Sequence, residues 1–130
     1  MILISEVTLK KQIFYFTGTG NCLSIARKLN GILKDYSLHS IISDFKLAEE
    51  YIERQIIVVT PVYMYNLPYV VRNFLENLSG SGHCSIVFAG GGEIGKCFSE
   101  SKKLFQKKSI KLNSQFNIPM PSNYTPYGGN

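Results

Sequence analysis

Gln12-Ile13-Phe14-Tyr15-Phe16-Thr17-Gly18-Thr19-Gly20-Asn21-Cys22-Leu23-Ser24-Ile25-Ala26 is the stretch that decides the fold. Its first five residues are a short apolar run rich in aromatic and β-branched side chains, which reads as a buried strand. The run stops at a Thr/Gly cluster. Leu23, Ile25, Ala26, Leu29 and Leu33 then recur at spacings that mostly suit one helix face, with Arg27, Lys28 and Lys34 on the wet side or near the C-terminal end.

The same alternation continues outward. Leu38 to Ser43 reads as a second strand, and Lys46 to Arg54 as a short helix carrying Glu49, Glu50 and Glu53 to solvent. Gln55-Ile56-Ile57-Val58-Val59-Thr60 is the strongest strand, because continuous β-branched residues without polar alternation suit a parallel strand covered on both faces. Pro61 is expected to break it. Pro68 opens a helix whose core face is Val70, Val71, Phe74, Leu75 and Leu78, closed by Ser79-Gly80-Ser81-Gly82. His83 to Ala89 is a strand ended by Gly90-Gly91-Gly92, Lys96 to Lys108 is helical, and Ile110 to Ile118 is the fifth strand. Such an order implies an α/β fold, a mostly parallel sheet with right-handed crossovers and helices on both faces. Ligands of such sheets sit outside the carboxyl ends of the strands, near the switch in strand order.

At 130 residues the chain is one domain, which excludes a multidomain enzyme. With 45% hydrophobic and 18% charged residues it has enough apolar material for a core and too little charge for disorder. No run reaches membrane-helix length, and Met1 to Glu6 lacks a basic leader region, so a soluble cytoplasmic protein is expected. Cys22, Cys84 and Cys97 show no metal-site or redox spacing, so reduced thiols and no metal are expected. His39 and His83, near inferred strand starts at the edge opposite the site, are given no role. The formal charge is +5, concentrated in Lys102, Lys103, Lys107, Lys108 and Lys111, which read as a solvated helix face. Phe98 and Phe105 beside them are expected to face the core, so no nucleic-acid partner is implied.

Three loops carry the chemistry. In Thr17-Gly18-Thr19-Gly20-Asn21-Cys22, two hydroxyls, two glycines and the N–H groups of a helix start make a pocket for a phosphate dianion without a lysine. The bland alternative is a helix cap with turning glycines. The loop is neither GxxxxGK[ST] nor GxGxxG, since Leu23 stands three after Gly20, and Cys22 to Arg27 is one residue short of CxxxxxR. The second loop is Pro61-Val62-Tyr63-Met64-Tyr65-Asn66-Leu67-Pro68, and the third is Ala89-Gly90-Gly91-Gly92-Glu93-Ile94-Gly95.

Thr17 to Cys22 resembles the T-G-T-G-N-T phosphate loop of flavodoxins at five of six positions, between a strand and a helix. Ile13 to Ala26, Pro61-Val62-Tyr63 with Leu67-Pro68, Gly90-Gly91-Gly92 and Met120-Pro121-Ser122-Asn123-Tyr124 together resemble the flavodoxin-like domain of bacterial flavoproteins often fused to a ferredoxin. The resemblance spans roughly residues 12 to 125, leaving 1 to 11 as an extension. It implies an open five-stranded parallel sheet in the order 2-1-3-4-5, a bound FMN and electron transfer, with no catalytic side chain. The FMN phosphate falls on Thr17, Gly18, Thr19, Gly20, Asn21 and Cys22, where a thiol is a weak donor and weaker binding is expected unless backbone N–H groups compensate. Pro61, Val62, Tyr63, Met64, Tyr65 and Asn66 fall beside the ring, with Tyr63 and Tyr65 as stacking candidates. Asn66 stands in for the glycine whose peptide meets the reduced flavin in ordinary flavodoxins. Gly90, Gly91 and Gly92 bring backbone amides to the pyrimidine edge, and Tyr124 and Tyr127 lie near the cofactor mouth.

A flavodoxin fold normally ends in a fifth helix, and none is available after the fifth strand here. One sheet face is therefore expected to be exposed, or covered by a partner, by Met1 to Lys10, or by a second copy in a homodimer. The positive charge suits an acidic ferredoxin as a separate redox partner. The alternatives are a cofactor-free interaction module on the same fold, and an FMN-dependent NAD(P)H:quinone-type oxidoreductase.

Overall fold

The computed structural model describes residues 9–17, 20–63, 66–90 and 94–119. Strand β1 (Lys10–Tyr15) leads to helix α1 (Asn21–Leu33) and strand β2 (Ser37–Ser40). A 3₁₀ turn (Phe45–Glu49) precedes β3 (Glu53–Pro61), followed by α2 (Tyr69–Glu76), β4 (Ser81–Ala89), α3 (Gly95–Phe105) and β5 (Ile110–Ile118). The strands form one five-stranded sheet in the order β2-β1-β3-β4-β5. Every neighbouring pair is parallel.

Alternation along the strands sorts the core into two layers. On one face Ile13, Val59, Val87 and Ala89 pack against Cys22 and Ala26 of α1. On the other, Phe14, Ile56, Val58, Ile86 and Phe88 pack against Val71, Phe74 and Leu75 of α2 and Cys97 and Phe105 of α3. No helix follows β5 among the described residues. Phe116 and Ile118, which pair with Val87 and Ala89, stay 54% and 39% exposed. Among the described residues no helix is long and apolar enough to cross a membrane.

The largest correction to the sequence reading concerns Lys46 to Arg54. Only Phe45–Glu49 is helical, as a 3₁₀ turn, and Glu53 and Arg54 open β3. The cause is Arg54, whose side chain is fully buried. Its guanidinium donates from Nη2 to the carbonyls of Ala48 (2.7 Å), Glu50 (2.9 Å) and Ser79 (2.8 Å). Nη1 reaches Leu47 O (2.8 Å) and Gln12 Oε1 (3.2 Å), and Nε donates to Ser79 O (3.2 Å). One side chain thus gathers β1, the 3₁₀ turn and the α2–β4 connection at the amino end of the sheet.

Two glycines let the chain close around this point. At Gly80 (φ +101°) a Cβ would fall 2.2 Å from Ile52 O, and at Gly82 (φ +117°) 1.9 Å from Arg54 O. Gly82 therefore belongs to β4, which starts at Ser81 and not at His83.

Smaller corrections follow the same pattern. β3 ends at Pro61, one residue beyond the expected Thr60. Lys10 and Lys11 lie in β1 and outside any extension. β2 ends at Ser40, and α3 ends at Phe105, short of Lys108. Lys108 leaves the expected solvated face: its Nζ donates to Glu76 O and Leu78 O, both at 3.0 Å, satisfying carbonyls at the end of α2. Partial burial lowers its pKa against the opposing influence of Glu76.

Replacing Arg54 by Met strands several buried carbonyls at about 1–3 kcal/mol each. Urea unfolding followed by circular dichroism is expected to show a loss of at least about 3 kcal/mol. Arg54→Lys recovers only a small part of it, because one ammonium cannot span the carbonyls that the planar fork reaches.

Candidate functional site

Strands β1, β3 and β4 are adjacent in the sheet, so the loops after Tyr15, Pro61 and Ala89 emerge side by side at its carboxyl end. From β1 the chain goes one way to β2 and then back across to β3, which places the switch in strand order between the first two loops.

In the first loop, Thr17 Oγ1 accepts the Gly20 N–H at 2.7 Å. Gly20 sits at φ +98° as the residue preceding α1, with no side-chain cap on the helix and no acid in its first turn. A Cβ at Gly20 would meet nothing within 4 Å, so glycine is needed here for backbone conformation and not for room. The helix opens with the Ser24 N–H donating to Gly20 O at 3.1 Å. The N–H groups of the first turn have no intrahelical acceptor and carry the positive end of the helix dipole. Asn21 is half-buried there, while Gly18 and Thr19 lie outside the described residues.

Cys22 has its side chain in the apolar cluster with Ile13, Ala26, Val59, Val87 and Ala89, and burial pushes its thiol up to about 12. The thiol is thus a packing group, and what Cys22 offers a ligand is its backbone N–H. Cys84 and Cys97 are also buried and no disulfide joins the three. Burial raises the Cys84 thiol and brings that of Cys97 up to about 11, with Glu100 adding to the rise.

In the second loop Tyr63 and Asn66 exchange backbone hydrogen bonds, Tyr63 N–H to Asn66 O at 2.9 Å and Asn66 N–H to Tyr63 O at 2.8 Å. This closes the loop on itself and commits the Asn66 amide. Tyr63 is 45% exposed and meets Phe16 edge-on, with ring centroids 6.3 Å apart. Pro61 and Val62 are half-buried, and Met64 and Tyr65 lie outside the described residues.

In the third loop the Gly90 N–H donates to Ile118 O at 3.2 Å. A Cβ on Gly90 would lie 3.1 Å from Val62 Cγ2, so the second and third loops come close here and a larger residue at position 90 requires Val62 to shift by a few tenths of an ångström. Gly91, Gly92 and Glu93 lie outside the described residues, as do Tyr124 and Tyr127.

Sequence reasoning missed Glu100. From α3 its carboxylate pairs with Arg72 of α2 and accepts the Leu67 N–H at 3.5 Å, anchoring the end of the second loop to the helix that follows the third. An acid and a base 28 positions apart on separate helices leave no local pattern. His39 is also corrected: it is the third residue of β2, close to the carboxyl end and not the start of the strand.

No protein-family model matches the chain, and no curated protein matches it. Solved structures do. A flavoprotein from Lactobacillus acidophilus NCFM, in complex with FMN, superposes with a TM-score of 0.64 at 15% identity over 85% of this chain and 93% of its own. A short-chain flavodoxin associated with a non-canonical PDU bacterial microcompartment gives 0.60 at 17% identity, covering 86% of each chain. Rubredoxin oxygen:oxidoreductase from Desulfovibrio gigas gives 0.56 at 19% identity over 92% of this chain and 33% of its own. The fold is flavodoxin-like, an open parallel α/β sheet in the order 2-1-3-4-5.

Cys22→Ser places a hydroxyl in the apolar cluster, so it is expected to lower stability by about 1–3 kcal/mol. Thermal and urea unfolding check this. Cys22→Ala, which keeps the cluster apolar but shrinks it, is expected to destabilise through lost packing alone.

Proposed function

We propose that this chain binds FMN across the three carboxyl-end loops and passes electrons to and from a separate redox protein. The observation that carries the proposal is the start of α1. An uncapped helix N-terminus free of acids follows a glycine at φ +98°, and the Thr17 hydroxyl holds that glycine's N–H. A phosphate is recognised by such first-turn amides and needs no lysine. Backbone N–H groups of residues 21 to 23, with the hydroxyls of Thr17 and Thr19, would hold the phosphate, while the Gly20 N–H is taken by Thr17. Tyr63, edge-on to Phe16, and Tyr65 would flank the ring, and Gly91 and Gly92 would offer amides to its polar edge, the Gly90 N–H being committed to Ile118 O.

These residues fit the group. The Lactobacillus flavoprotein, solved with FMN, supports the choice of cofactor. When bound, FMN supplies the electron transfer, and the protein supplies binding, orientation and tuning of the ring. Nothing in this reading asks for a side-chain acid, base or nucleophile at the loops.

The partner is read from charge. The chain carries a formal +5, and Lys96, Lys102, Lys103 and Lys107 are exposed on or just beyond α3, which begins after the third loop. An acidic ferredoxin-type protein fits that surface, and attraction between the two weakens with added salt.

Titration of apoprotein with FMN, read by flavin fluorescence quenching, is expected to saturate at one equivalent. Gly20→Ala forces a side chain into left-handed backbone at about 1–2 kcal/mol, and is expected to raise the Kd roughly tenfold. A folded protein with no saturable binding would overturn the proposal and leave an interaction module on the flavodoxin-like scaffold.

A further inference from the structure

A second constellation lies on the edge strand β2, separate from the residues of the three loops. Ser37 and His39 are two apart on the strand, so their side chains leave the same face. His39 Nε2 is 2.7 Å from Ser37 Oγ, and Nδ1 is 2.9 Å from Asp44 Oδ2 in the following turn. A carboxylate only accepts, so Nδ1 carries the proton of the neutral ring and Nε2 is left to accept the serine O–H. The competing acceptor, Lys11 O, is farther from Ser37 Oγ at 3.4 Å. The imidazole is held in place by stacking on Phe14, with centroids 5.1 Å apart and planes at 28°. Phe14 itself is fully buried, so the ring rests on a rigid wall.

Access and a place for developing charge are also present. Ser37 is exposed, and the side chains of His39 and Asp44 are 18% and 39% exposed. β2 is the outermost strand on its side of the sheet. The Ile41 N–H donates to Tyr15 O on β1. By alternation the N–H groups of Ser37 and His39 also face β1, and that of Leu38 faces outward. The N–H of the residue after a nucleophilic serine is one of the positions from which an oxyanion is stabilised.

We propose that Ser37 is a nucleophile toward small, unhindered acyl donors such as activated esters, with His39 as general base and Asp44 positioning the ring. Ser37 Oγ bonds to the acyl carbon as the ester C–O bond breaks. The serine proton passes to His39 Nε2 and then to the leaving alkoxide, which departs as the alcohol. Water releases the acid by the same route in reverse.

The test is phosphonylation by a fluorophosphonate, in which Oγ–P forms, P–F breaks and HF is lost. Mass spectrometry of peptides compares Ser37 with Ser99, an exposed serine of the same chain whose hydroxyl donates to Gly95 O. Ser37 is expected to react roughly 100-fold faster than Ser99 or more, the range a positioned general base supplies. His39→Gln is expected to abolish the advantage. Asp44→Asn is expected to reduce it at least about tenfold by stabilising the wrong tautomer, with an unchanged circular dichroism spectrum. Hydrolysis of p-nitrophenyl acetate should follow the same order. Equal labelling of Ser37 and Ser99 in the unaltered protein overturns the proposal without recourse to any variant. An undiminished rate in folded His39→Gln or Asp44→Asn overturns the relay.

Discussion

A buried guanidinium satisfied by main-chain carbonyls organises the amino end of this sheet. Arg54 is the second residue of β3, the strand that joins both halves of the sheet. A buried cation is tolerable only when its donors are matched, and carbonyls of Leu47, Ala48, Glu50 and Ser79 do the matching. That requirement fixes where β3 starts, shapes the 3₁₀ turn before it and holds the connection from α2 into β4. Beside it, Gly80 and Gly82 pass close along Ile52 and Arg54, where a side chain would meet the carbonyl oxygens of those two residues.

The carboxyl end is built differently. Among the described residues its loops are tied by contacts such as Thr17 to Gly20 within the first, Tyr63 to Asn66 within the second, and Glu100 reaching from α3 to Leu67 and Arg72. The amino end is thus tied by one buried side chain and the carboxyl end by separate local contacts. The covered faces of β3 and β4 connect one to the other.

How much of this was legible depends on the distance over which each cause acts. The β1–loop–α1 unit is local: an apolar run, glycines at a turn and a helical period lie within a short span, and the strand, Gly20 at its positive φ and the helix are all present in the structure. β5 was read with its observed ends because a strand between a lysine-rich helix and a proline has clear local limits. The helix expected over Lys46 to Arg54 failed because the burial of Arg54 is set by Ser79, which no pattern around residue 54 reveals. Lys108 misled in the same way, its ammonium being claimed by the end of α2. At the site, the order of residues in the first loop was readable, but the inward direction of Cys22 was not, since a small residue at a helix start serves equally well facing the core or a ligand. Glu100 depends on tertiary placement and left no motif, and the His39–Asp44 pair, five residues apart, depends on where β2 gives way to the turn after it.

The contact between Gly90 and Val62 carries an evolutionary consequence. A side chain at position 90 would press on the one at position 62, so the two positions in different loops are coupled. A lineage that gains a methyl group at position 90 must also displace or reshape the side chain at position 62. The second and third loops are therefore expected to diversify as a pair, with substitutions at positions 62 and 90 arriving in correlated steps.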